Sequence, residues 1–122
     1  MLLLAVMLGG ALGAACRYLS GLGVTALLGT QALPVATLAV NVVGSFLLGL
    51  LIFSKFFGLP EAYKLALGTG FLGALTTFST FQLELFQLSE SGKWFTLWLY
   101  LLASLSLGFG AVLLGKRLAE LS

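Results

Sequence analysis

Four stretches of this chain, roughly residues 2–20, 35–54, 62–87 and 94–115, run almost without charge for about the 20 residues that a helix needs to cross a bilayer's hydrocarbon core. That feature excludes most folds. In hydrocarbon the backbone N–H and C=O groups of a spanning segment must bond one another, so each stretch reads as a transmembrane helix. Charge is scarce throughout: six Lys or Arg and four Asp or Glu make up 8% of 122 residues, against roughly 25% in a soluble domain. Mean hydropathy is +1.13. The length sets a single domain, 1–122, of four helices. Met1-Leu2-Leu3-Leu4 lacks the basic region of a signal peptide, so the first stretch is expected to be a retained helix.

The junctions carry the expected punctuation. Gly29-Thr30-Gln31 and Pro34 separate the first two stretches, Lys55 through Lys64 with Gly58 and Pro60 the next two, and Ser89-Glu90-Ser91-Gly92-Lys93 the last two. Tyr63, Trp94 and Trp98 fall near helix ends, where amphipathic aromatics prefer the headgroup level. Lys55, Lys64, Lys116 and Arg117 lie on one side, Lys93 and Arg17 on the other. The excess on the first side favours cytoplasmic termini only by a small margin.

Several chemistries are absent. There is no His, Cys16 is the lone cysteine, and the net charge of +2 forms no basic stripe. Neither an enzyme nor a nucleic-acid partner is expected.

Small residues mark packing faces. Gly9 and Gly13 form a GxxxG pair, Ser45 and Gly49 a second small pair, and Ala66, Gly70 and Ala74 a series. Such spacing lets backbones approach closely in lipid. Four short-looped helices leave little room for an enclosed pathway, so subunits are expected to associate.

The polar residues at membrane depth ask for a reason, because each needs a partner there. Asn41 shares a helix face with Gly44, Ser45 and Leu48. Its amide can hold an anion or join two helices. The third stretch is densest, with Thr76, Thr77, Ser79 and Thr80 following Gly70 and Gly73. Hydroxyls compete for backbone bonds and glycines admit unusual dihedrals, so a helix break with exposed carbonyls is expected here. Phe78 and Phe81 sit on one face and can turn their positive ring edges toward an anion, or simply pack. In the fourth stretch Tyr100, Ser104 and Gly108 repeat at helical spacing, with Ser106 and Gly110 on an adjacent face. They read equally as a hydroxyl track or as small-residue packing. Arg17 either snorkels to the interface or sits buried, raising local anion concentration. Glu84, one turn beyond Phe81, reads as a solvated helix-end carboxylate or the lining of a vestibule.

Three segments then match a known family. Gly9-Gly10-Ala11-Leu12-Gly13-Ala14-Ala15-Cys16-Arg17-Tyr18 resembles the first-helix GGxxGxxxR[YW] pattern of the Fluc (CrcB-type) fluoride channels. Thr37-Leu38-Ala39-Val40-Asn41-Val42-Val43-Gly44-Ser45-Phe46 is similar to their TLxxNxxGxF segment, and Gly70 through Phe81 to their GFxGGxTTFSTF signature. The likeness covers the chain in order. Ala36 and Ala74 stand where the family often has Gly.

The resemblance implies an all-α membrane protein of a prokaryotic plasma (inner) membrane, with four transmembrane helices per subunit and a break in the third. It implies an antiparallel, dual-topology homodimer with two pores for passive fluoride export and a central structural sodium ion. Carried over by motif position, the sodium ligands are the Gly73 and Thr76 carbonyls. The pathway residues are Asn41, Phe78, Phe81, Ser79, Thr80, Tyr100 and Ser104, with Thr77 and Ser106 beside them. The family's first-helix arginine matches Arg17. Two other functions compete. A small four-helix multidrug exporter would need an intramembrane carboxylate, and the first helix has none. A purely structural subunit would use its polar residues only for helix contacts.

Overall fold

The computed structural model describes residues 1–30, 33–54 and 58–121. Gln31 and Lys55 lie outside the described residues. The chain begins with α1 (Leu2–Leu28) and α2 (Leu33–Phe53). A short α3 (Glu61–Leu65) then runs without a turn into a π-helical segment (Ala66–Leu72) and a single turn, α4 (Gly73–Leu75). After two extended residues come α5 (Phe78–Glu90) and the long α6 (Trp94–Leu121). No strand occurs among the described residues.

Three helices are long and apolar enough to cross a membrane: Leu2–Leu28, Pro34–Phe53 and Trp94–Leu121. The stretch at 62–87 is divided at Thr76–Thr77 into shorter helical pieces, within the run where the sequence predicts a break. Two spans also outrun their expected ends. α1 continues from 20 to Leu28, because nothing in Gly21–Leu28 forbids helix until Gly29 turns to φ 82°. α6 continues to Leu121, carrying Lys116 and Arg117 on helix.

Glycine decides how the helices meet. A Cβ on Gly9 would strike the Ala66 carbonyl, and one on Gly13 the Phe71 carbonyl. The α1 backbone therefore lies directly on the π-helical segment. On the other side α2 packs along α6, where a Cβ on Gly115 would meet the Phe46 carbonyl and one on Gly49 would sit 2.5 Å from the Val112 carbonyl. Between these pairs Val40, Leu51, Leu72 and Leu75 form a small core, with Leu59 and Phe71 against it. Most other large apolar side chains point outward, among them Leu3, Met7, Trp98 and Phe109. Outward-facing apolar surface on this scale suits lipid or a second subunit as its neighbour.

Candidate functional site

The break begins at Thr76, whose φ −80°, ψ 157° take the backbone out of the helix, and Thr77 follows at φ −151°, ψ 123°. Both are β-branched, which favours extended backbone. Thr76 still faces backwards: its N–H and its hydroxyl both donate to the Leu72 carbonyl, at 3.1 and 3.0 Å. Thr77 faces forwards. Its Oγ1 caps α5 by accepting the Thr80 N–H at 3.2 Å, and donates to Thr80 Oγ1 at 3.1 Å.

Asn41 bridges the gap from α2. The Thr77 N–H donates to Asn41 Oδ1 at 2.8 Å, and Asn41 Nδ2 donates to the Thr77 carbonyl at 3.1 Å. One side chain thus satisfies both backbone groups of an extended residue inside the bundle, where leaving them unpaired is costly. In an unbroken helix the Thr77 N–H would go to Gly73, and the Thr80 N–H to Thr76. Here Asn41 and the Thr77 hydroxyl take those donors, so the Gly73 and Thr76 carbonyls lose their helical partners.

A cavity of about 310 Å³ opens beside the break. Asn41, Gly44, Ser45 and Leu48 line it from α2, Gly73, Thr76 and Thr77 from the break, Phe78 and Phe81 from α5, and Ser104 and Gly108 from α6. No charged residue is among its lining residues. Gly44 makes room for the Thr76 methyl, which a Cβ there would strike. The Ser104 hydroxyl is buried and has no hydrogen-bond partner among the described residues. Phe81 is buried, with its ring 5.2 Å from Tyr100 in an edge arrangement and 6.1 Å from Phe78. Phe78 itself is 72% exposed and Gly73 is exposed as well, so the cavity is open on that side.

A second cavity, about 260 Å³, lies on the other side of Thr77. Arg17 and Tyr18 from α1, Thr37 from α2, and Thr80 and Glu84 from α5 line it. The reading of Glu84 as a solvated helix-end carboxylate is corrected by its burial at 6% exposure. Its Oε1 accepts the Thr37 hydroxyl and its Oε2 the Tyr100 hydroxyl, each at 2.7 Å. Arg17 is half-buried and lines the same cavity, but no ion pair joins it to Glu84; the ion pair seen among the described residues is Lys116–Glu120, at 3.7 Å.

The structure therefore gathers Asn41, Thr77, Phe78, Phe81 and Ser104 around one cavity, with Tyr100 behind Phe81. Thr80 faces the second cavity, Ser79 is exposed at 3.4 Å from the Thr77 hydroxyl, and Ser106 is exposed and lines neither. Sequence reasoning did not single out Thr37 as the partner of Glu84. The signal was present: Thr37 precedes Asn41 by one helical turn and shares its face.

Comparison with known proteins now bears on this arrangement. Residues 4–116 match the family model described as CrcB-like protein, Camphor Resistance (CrcB). The chain belongs to the CrcB-like family. As expected of a CrcB-like protein with three such apolar helices, it is a multi-pass membrane protein. Its relatives carry a common name. A fluoride-specific ion channel of Acidobacterium capsulatum is 46% identical over 112 residues, covering 90% of this chain and 89% of the relative. One of Magnetococcus marinus is 46% identical over 118 residues, 95% of each chain. One of Methanocaldococcus jannaschii is 50% identical over 94 residues, 76% of this chain and 73% of its own.

Proposed function

We propose that this chain is a subunit of a fluoride-selective passive ion channel that releases fluoride from the cell and so relieves its toxicity. It is not an enzyme. The observation that carries the reading is the uncharged cavity at the break, lined by the Ser104 hydroxyl, which has no hydrogen-bond partner among the described residues. Fluoride is small and strongly hydrated, so a pathway must replace its water with donors. An amide, hydroxyls and aromatic ring edges supply partial positive charge without a full cation that would hold the ion too long. The names of the relatives agree on the ion.

The working form is an antiparallel homodimer with two pores, spanning the membrane of a prokaryote. The exposure of Phe78 and of the outward apolar faces, which a second subunit would cover, supports association. The broken stretch from α3 to α5 serves as a fourth span, its halves held at the break by Asn41. Asn41, Thr77, Phe78, Phe81 and Ser104 line the pathway, Tyr100, Ser79, Thr80 and Ser106 extend it, and Arg17 and Glu84 shape its approach.

A structural sodium ion at the dimer centre fits the chemistry of the break. No group of three or more acidic, His or Cys side chains exists among the described residues to hold a metal, whereas Gly73 and Thr76 offer carbonyls released from helical bonding. Carbonyl oxygens are suitable ligands for a hard monovalent cation. Bound there, sodium would supply positive charge near an anion path and join the two subunits.

Purified protein reconstituted into liposomes in sodium buffer tests the function, with a fluoride electrode as readout. Fast fluoride efflux without a proton gradient is expected. Proton-coupled export of an organic cation would instead indicate an exporter. Well-folded protein with no fluoride efflux would remove the channel assignment.

A further inference from the structure

We infer that Asn41 is a positioning residue for the helix break, beyond any contact it makes with an ion. Its amide forms two bonds with a single backbone residue: Oδ1 accepts the Thr77 N–H at 2.8 Å and Nδ2 donates to the Thr77 carbonyl at 3.1 Å. That paired geometry replaces what a continuous helix would give Thr77. It also settles where the Thr77 N–H does not go. The helical acceptor for that donor is Gly73, and Asn41 diverts it. A residue lining the cavity from α2 therefore determines the bonding state of a backbone carbonyl at the break, on an exposed residue that lines the same cavity.

The local sequence cannot hold the break alone. Thr76 sends both its donors back to Leu72, and Thr77 spends its hydroxyl on Thr80, so neither side chain is left to satisfy the Thr77 backbone. With an apolar side chain at 41, the nearest remaining partner for the Thr77 N–H is the Gly73 carbonyl. One further helical turn then forms, and Phe78 and the start of α5 rotate away from the cavity. Gly44 reinforces the arrangement from the same helix face by admitting the Thr76 methyl.

This inference rests on the channel reading only for its effect on fluoride, and its structural part is testable alone. The full chain, isotopically labelled in detergent micelles, gives the Gly73 carbonyl and Thr77 amide resonances for wild type, Asn41→Asp and Asn41→Leu. Asp keeps the acceptor for the Thr77 N–H and loses the donor to the Thr77 carbonyl; Leu loses both. Asn41→Leu is expected to move the Gly73 carbonyl resonance in the direction of a newly bonded helical carbonyl. Asn41→Asp is expected to leave the Gly73 carbonyl near its wild-type position and Thr77 amide exchange slow. Wild-type positions for both resonances in Asn41→Leu would overturn the inference. So would fast Thr77 exchange in Asn41→Asp, which stands as the test if the Leu variant does not fold. Liposomes run in parallel separate the two readings: absent wild-type efflux counts against the channel, whatever the resonances show.

Discussion

The Tyr100 hydroxyl donates to Glu84 Oε2 at 2.7 Å, tying α6 to α5 through a buried carboxylate whose other oxygen is held by Thr37 on α2. Three helices thus converge on one side chain. Tyr100 also presents its ring to Phe81, so the same residue orders the wall of the cavity and the carboxylate behind it.

Removing a donor from that carboxylate should be felt as lost stability. Tyr100→Phe leaves Glu84 Oε2 without its hydroxyl and should destabilise the fold by about 1–3 kcal/mol, the range for an unsatisfied buried group. Thr37→Val should do the same to Oε1. Because both variants strip the same carboxylate, the double variant should depart from additivity. Thermal melting in detergent, followed by circular dichroism, measures all three.

Ser104 should behave in the opposite way. Its hydroxyl is buried and bonds nothing among the described residues, so Ser104→Ala should leave stability unchanged or raise it, by up to about 1–3 kcal/mol. Fluoride efflux from liposomes should nonetheless fall by about tenfold, equivalent to roughly 1.4 kcal/mol in the barrier. Equal efflux in variant and wild type would place the ion's path elsewhere.

Phe81 and the ion should respond to shape rather than to hydrophobicity. Phe81→Ile keeps an apolar side chain between Phe78 and Tyr100 but removes the ring edge. Fluoride efflux should drop by about tenfold or more while the size of the assembled species, read by light scattering, stays the same. A smaller species would show that Phe81 acts in assembly.

The glycines divide into contact and free positions. Gly115→Ala forces a methyl against the Phe46 carbonyl on α2 and should lower stability by about 1–3 kcal/mol through overpacking. Gly21→Ala, with nothing within 4 Å of its Cβ, should be neutral or stabilising, since Ala is the better helix former by about 1 kcal/mol. Parallel melting curves of the two variants give the comparison.

Much of this was legible from the residues. Periodicity placed Asn41, Gly44, Ser45 and Leu48 on one face, and all four line the cavity. The spacing of Gly9 and Gly13 announced a close backbone contact, and the structure supplies its partners. What was hidden depends on the third dimension. The π-helical register at Ala66–Leu72 differs from an α-helix by one residue per turn, and the backbone of α1 pressed against Ala66 and Phe71 is absent from any local pattern. Glu84 looked like a helix-end charge because its partners lie 47 and 16 residues away. Ser106 reads in the sequence as lying on a face adjacent to that of Ser104, but two residues turn a helix by roughly 200°, so the two point to nearly opposite sides.

The glycine contacts have a mechanical consequence. Where α1 meets the π-helical segment, backbone touches backbone, and no side chain lies between them to change rotamer. α3, the π-helical segment and α4 are thus seated on α1 by close backbone contact, while α5 is fastened to α6 and α2 through Glu84. The two groups meet in the apolar core of Val40, Leu51, Leu72 and Leu75 and in the Asn41–Thr77 bonds, so the wall of the cavity is shared between them and neither group shapes it alone.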